Sequence, residues 1–137
     1  MSIEYAELLL ERAKRYMHSA KRNFEEKLYD VSALEAEIAT QLALKAIIAK
    51  CGFHIPRTHR IRQLISFIIE NELLPKDLTK KLSELIMRYR SQFIVLERAR
   101  EVSQYGATLI DNDEAEIALN IAKKLVSLIE ELWSLAK

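Results

Sequence analysis

Apolar residues recur along this chain at alternating steps of three and four, the spacing of an amphipathic helix. In a first segment, Ser2 to Leu28, residues Ala6, Leu10, Ala13, Met17, Ala20 and Phe24 share one face. Ser2 is placed as its N-cap, with Glu4 and Glu7 near the positive end of the helix dipole. A second segment opens at Ser32-Ala33-Leu34-Glu35, which reads as a capping box, and closes at Gly52, where a positive φ is inexpensive. Between Ala33 and Ala49, 12 of 17 residues are apolar, so this helix is expected to be the most buried. After a loop, Thr58 is placed as the N-cap of a short helix, His59 to Asn71, with Ile61, Leu64, Ile65 and Ile68 inward. Pro75 precedes a long fourth segment, Lys76 to Gln104, carrying Leu78, Leu82, Leu85, Ile86, Phe93 and Leu96. Gly106 and Asp111-Asn112-Asp113 form the last break, and a fifth segment follows with Ala115, Ala118, Ala122, Leu125, Ile129, Leu132 and Ala136 on one stripe. Ile117, Ile121, Leu128 and Leu135 make a second stripe; one core needs only one, so the second is available to another subunit. The pattern predicts an all-α fold, an antiparallel (up-and-down) four-helix bundle with one additional short helix, spanning residues 1–137 as a single domain.

Composition narrows this further. Half of the 137 residues are hydrophobic, and only two glycines and two prolines are present, too few for a turn-rich β protein. Low net charge and high apolar content argue against disorder. A lone Cys51 closes no internal disulfide, and no apolar stretch approaches a membrane span or a signal-peptide core, so a cytoplasmic, reducing setting without membrane association is expected. Two glycines build no phosphate-cradling loop, His54 and His59 flank Pro56 rather than sharing a helix face, and Cys51 sits at a helix C-terminus, where the dipole disfavours a thiolate. No cofactor and no metal are therefore expected.

The formal net charge of +1 conceals an asymmetry, since residues 57–100 carry a net +5 and residues 101–137 a net −4. The basic stretch could attract phosphates or an acidic partner; alternatively the two stretches neutralise one another across the bundle or within a dimer. On the second segment, Glu37, Gln41 and Lys45 fall on one line of an otherwise apolar helix. They form either a thin solvated stripe or a polar seam inside a binding cleft.

The run Ala36-Glu37-Ile38-Ala39-Thr40-Gln41-Leu42-Ala43-Leu44-Lys45-Ala46, followed by Gly52, Pro56 and Thr58-His59-Arg60-Ile61-Arg62-Gln63-Leu64-Ile65, resembles the HEPN (higher eukaryotes and prokaryotes nucleotide-binding) family. Lys45, Gly52, Pro56, Thr58 and His59 match the family pattern in order and spacing, whereas Gln41 stands where a glutamate is usual and Arg60 where an aspartate is usual. Ser103-Gln104-Tyr105-Gly106 is similar to the family's Ser-Arg-Tyr-Pro segment, keeping Ser103 and Tyr105. The resemblance implies one of several roles. Some HEPN domains are ribonucleases with an Arg-x4–6-His motif near the start of the last long helix, where an arginine meets phosphate charge beside a proton-transferring histidine. No histidine follows His59 here, and although Arg12 and His18 have the spacing, they lie on the first segment. The resemblance then implies a non-catalytic module, toxin–antitoxin-like in its association with a small nucleotidyltransferase, or binding a nucleotide or RNA, as a homodimer. Its ligand residues are expected at Arg98, Arg100, Gln104 and Tyr105, since arginine forks suit phosphates and a tyrosine ring suits a base. For these the alternatives are salt bridges of Arg98 and Arg100 to nearby carboxylates and a packing role for Tyr105. His59, beside a cap position, is expected to be structural.

Overall fold

In a computed structural model, which describes residues 3–106 and 108–136, helices form wherever the spacing of three and four runs. They are α1 (Ile3–Glu25), α2 (Tyr29–Lys50), α3 (Ile61–Glu70), α4 (Lys76–Arg88), α5 (Arg90–Tyr105) and α6 (Asn112–Leu132), followed by a 3-10 turn, Trp133–Leu135. No strand occurs among the described residues, and the fold is all-α. The Ser2 cap lies outside the described residues.

The alanine-rich segment becomes the centre of the molecule. Ala33, Ala36, Ala39, Ala43, Ala46 and Ala49 are all buried, and their small side chains let α1, α3, α5 and α6 approach α2 closely. Leu44, Ile47 and Ile48 fill the space between them, each burial favourable by about 1.5–3 kcal/mol. The inward sets of α1, α3 and α6 are buried as their spacing predicts, including Ala6, Met17, Ile61, Ile68, Ala115 and Ile129. The packing of α1, α2, α5 and α6 around this core is compatible with the expected up-and-down bundle.

Several boundaries differ from the sequence reading, each for a tertiary reason. The capping box at Ser32–Glu35 does not form, because α2 starts earlier, at Tyr29. Ser32 is instead buried and donates to the Ala20 carbonyl of α1 (2.7 Å), while Glu35 accepts from Ser19 (2.7 Å) and Asn23. Thr58 does not cap α3, which begins after Arg60; the Thr58 hydroxyl accepts from the Arg60 amide at 3.1 Å and donates to Gln63, closing a turn. The long fourth segment is two helices, broken at Tyr89 (φ −112°, ψ 30°) without any glycine or proline. The break lets the two halves serve different neighbours: α5 packs on α2 and α6, and α4 lies against α3. In the last segment, Lys50 donates to the Trp133 carbonyl and its ammonium lies 4.8 Å from the Trp133 ring centre, where the chain leaves the α-helix, so Ala136 falls beyond it. The second stripe is split as well: Ile121 joins the core, Leu128 is half-buried, and Ile117 and Leu135 are exposed. No helix is long and apolar enough to cross a membrane.

Candidate functional site

Three elements converge on one cleft of about 330 Å³. Its floor is Glu37 of α2, one wall is His59 and Arg60 from the segment entering α3, and the other is the end of α5. Gly52, at φ +80°, ends α2 and redirects the chain toward this segment, and the Thr58 turn holds His59 and Arg60 at the mouth. On α5, Glu97, Arg100, Glu101 and Gln104 lie three or four apart and so share the face that lines the cleft, with Tyr105 beside them at the helix end. Arg62 forms an ion pair with Glu97 and steadies that wall.

The polar line of α2 is not a solvated stripe. Glu37 and Gln41 are 2% and 4% exposed, and only Lys45 is half-open to solvent. The Gln41 side-chain amide donates to both Glu37 oxygens, at 2.6 Å to Oε2. Since a carboxylate oxygen accepts, the other end of that amide is the carbonyl, and it faces His59 Nδ1 at 3.2 Å. A ring proton on Nδ1 donates to the Gln41 carbonyl, whereas a bare Nδ1 accepts from Lys45, so the tautomer follows which partner the ring takes. Lys45 Nζ lies 3.5 Å from the same Nδ1. Among the described residues, no buried side-chain nitrogen or oxygen lacks a partner.

These contacts set the protonation of the site. Burial pushes the Glu37 carboxyl up to about 7, against the opposing effects of the Gln41 hydrogen bond and of Arg100 and Lys45. Burial and then Arg100 pull the Lys45 ammonium below its ordinary value. His59 is also lowered, first by its partial desolvation and then by the cations Arg100 and Lys45, so it is held as a neutral ring near pH 7.

Of the residues expected at a ligand site, the fold brings together Arg100, Gln104, Tyr105 and Glu37, with Gln41 behind Glu37 and Lys45 next to His59. Arg98 is not among them. Two residues from Arg100 on a helix, it points to another side and lines a small hollow with Ala33, Val102 and Glu114. Tyr105 is 82% exposed, which removes a core role and leaves its ring open. His59 and Arg60 belong to the cleft although the sequence reading places neither there as a ligand residue. The signal for them lay in the Thr-His turn after Gly52 and Pro56, which the periodicity of the helices does not weigh. Arg12 and His18 are both exposed on α1 and line no part of the cleft. Within the chain the two oppositely charged stretches form no ion pair with one another among the described residues, where the ion pairs are Arg15–Glu11 and Arg62–Glu97. Among those residues, no group of three or more His, Cys, Asp or Glu is placed to hold a metal ion.

The HEPN domain profile matches residues 6–132, nearly the whole chain. The chain belongs to the HEPN family. Solved structures agree in fold: the protein TT1696 from Thermus thermophilus superposes with a TM-score of 0.71 at 24% identity, over 92% of this chain and 96% of that one. A HEPN domain protein from Thermotoga maritima superposes with a TM-score of 0.66 at 19% identity, over 92% and 97%. No curated protein matches the chain. At these identities the likeness speaks for the fold of this HEPN domain, and the chemistry of its cleft stands on its own residues.

Proposed function

We propose that residues 1–137 act as one non-catalytic HEPN module that binds a nucleotide, or the phosphate-bearing part of an RNA, in the cleft between α2, α3 and α5. The observation that carries this reading is the convergence of Arg60 and Arg100 with the open ring of Tyr105 over a buried Glu37. Two guanidinium forks suit phosphate oxygens, an exposed tyrosine ring suits a base, and Glu37 and Gln104 suit donor groups on the ligand. A volume of about 330 Å³ falls within the span of small-molecule sites, roughly 300–1,000 Å³. The absence of any histidine after His59 supports the non-catalytic reading, because the Arg-x4–6-His motif has no place to stand. A homodimer, and a nucleotidyltransferase as the alternative partner, complete the proposal. The exposed Ile117 of α6 and Leu135 beyond it support a covered face there, and the lone cysteine suits a cytoplasmic setting.

The test is titration of the chain with ATP and with a short RNA at low and moderate salt, with product analysis on the same samples. Saturable binding that weakens with salt, no cleavage, and at least a tenfold loss in Arg100→Ala are expected. No binding to either would overturn this reading and leave a protein-interaction role.

One observation favours a second reading, a metal-independent ribonuclease with a non-standard site. A neutral His59 ring, able to take up a proton, lines the cleft that Arg100 also lines, a pairing that suits phosphodiester cleavage. RNA cleavage abolished by His59→Ala would establish it in place of the non-catalytic reading. Cleavage unchanged by His18→Ala would remove Arg12 and His18 from consideration.

A further inference from the structure

A second concavity, about 580 Å³, opens between α4 and α6 and shares no residue with the cleft above. Its cations come from both helices: Lys81 and Arg88 from α4, Lys124 from α6. Two of them meet at one aromatic ring. Lys124 Nζ lies 5.0 Å and the Arg88 guanidinium carbon 5.5 Å from the centre of Tyr89, at the break between α4 and α5. None of the three forms an ion pair among the described residues, although Glu84 and Glu131 line the same hollow. Both cations thus lie at the Tyr89 ring without an ion-pair partner, and an anion bound beside them would offset their charge. The rest of the hollow is equally mixed in character. Leu85, Leu128 and the Tyr89 ring offer apolar surface, and the two glutamates offer acceptors.

We propose that this hollow is a second ligand site, for an organic phosphate that carries hydroxyl groups, such as a sugar phosphate or a nucleotide. The phosphate sits among Arg88, Lys124 and Lys81, where charge-assisted hydrogen bonds are strongest. The hydroxyls donate to Glu84 and Glu131, and the apolar face of the ligand lies against Leu85, Leu128 and Tyr89. Each kind of group in the hollow then has a counterpart, which an inorganic anion or a purely apolar molecule would not supply. The site owes nothing to the cleft of α2, α3 and α5, and its test separates the two.

The full chain, Arg100→Ala, and Arg100→Ala carrying Arg88→Gln and Lys124→Gln are titrated calorimetrically with ribose 5-phosphate, AMP and unphosphorylated ribose. Arg88 and Lys124 are exposed, so their replacement leaves the helical circular dichroism unchanged. Saturable binding of at least one phosphate ligand by Arg100→Ala is expected, at least tenfold weaker after loss of the Arg88 and Lys124 charges, with no binding of ribose. Restoring charge with Arg88→Lys and leaving Lys124 intact should recover most of the affinity. Tighter binding of AMP than of ribose 5-phosphate identifies a nucleotide as the ligand, and equal binding identifies the sugar phosphate. Failure of Arg100→Ala to bind either phosphate, or binding indifferent to Arg88 and Lys124, overturns the proposal. Identical curves for the wild type and Arg100→Ala would count against the first cleft while leaving this site in place.

Discussion

A carboxyl group buried on a helix of alanines is tolerated when it is neutral or well partnered, and Glu37 combines the two: the Gln41 amide holds both oxygens, and burial raises its pKa to about 7. The consequence for stability has a definite sign. Between the ordinary value of 4.5 and about 7, the folded chain holds a proton that the unfolded chain has released. The contribution of Glu37 to stability is therefore complete below pH 4.5 and is lost as pH rises through about 7. The full loss is on the order of 3 kcal/mol. His59 runs the other way, its lowered pKa favouring the fold above about 6.5, but it is present in both proteins when wild type is compared with Glu37→Gln. In urea unfolding, Glu37→Gln should gain on the wild type from pH 4.5 to about 7 and level off above it; a constant difference across that range would refute a neutral buried Glu37. Binding of an RNA phosphodiester, whose own charge is constant there, should weaken in the wild type as pH rises through 7, because ionised Glu37 adds negative charge to the cleft floor. Glu37→Gln should flatten that profile, as measured by fluorescence titration.

Elements begin and end here by two kinds of cause. Asp111 is local: its side chain accepts from the Glu114 amide at 2.9 Å and caps α6, with Asp113 and Glu114 in the first turn favouring the dipole. Asp111→Ala should cost about 1 kcal/mol in thermal or urea unfolding, without altering ligand binding in the cleft, which Asp111 does not line. Gly106 is required by a close approach rather than by its φ of −69°, since a Cβ would stand 2.7 Å from the Val102 carbonyl oxygen. Gly106→Ala should displace the end of α5, costing roughly 1–3 kcal/mol, and should weaken binding through Gln104 and Tyr105. Unchanged affinity in a folded Gly106→Ala chain would disconnect that helix end from the ligand. Asp111 and Gly106 could both be read as breaks along the sequence, whereas the break at Tyr89 could not. No residue near it resists helix, and the reason for it is the separate docking of α4 and α5.

Across the whole molecule, the net +5 of residues 57–100 and the net −4 of residues 101–137 remain largely unpaired within the chain, as far as the described residues extend. Unpaired cations gather in two places, Arg60 with Arg100 in the cleft and Arg88 with Lys124 beside Tyr89. Binding of phosphate ligands should accordingly be salt-dependent, by at least severalfold between low and moderate salt. Light scattering at micromolar concentration should return twice the chain mass of 15.9 kDa if α6 covers itself in a homodimer. A monomer mass would remove the dimer from the proposal.

The placing of the helical segments (the divided fourth apart), their inward faces and the central place of α2 were legible in the sequence, because apolar spacing and burial follow from the same demand to remove one face of each helix from water. The family was legible as well, since Lys45, Gly52, Pro56, Thr58 and His59 stand in a fixed order along the chain. Which side chains meet was decided only by packing. Ser32 and Glu35 pair with α1 instead of capping their own helix, and Glu37 with Gln41 turns inward to meet His59. Arg98 and Arg100, two residues apart, part to opposite sides of α5. These are contacts between elements far apart in sequence, and local pattern carries the orientation of a face but not the identity of the surface laid against it.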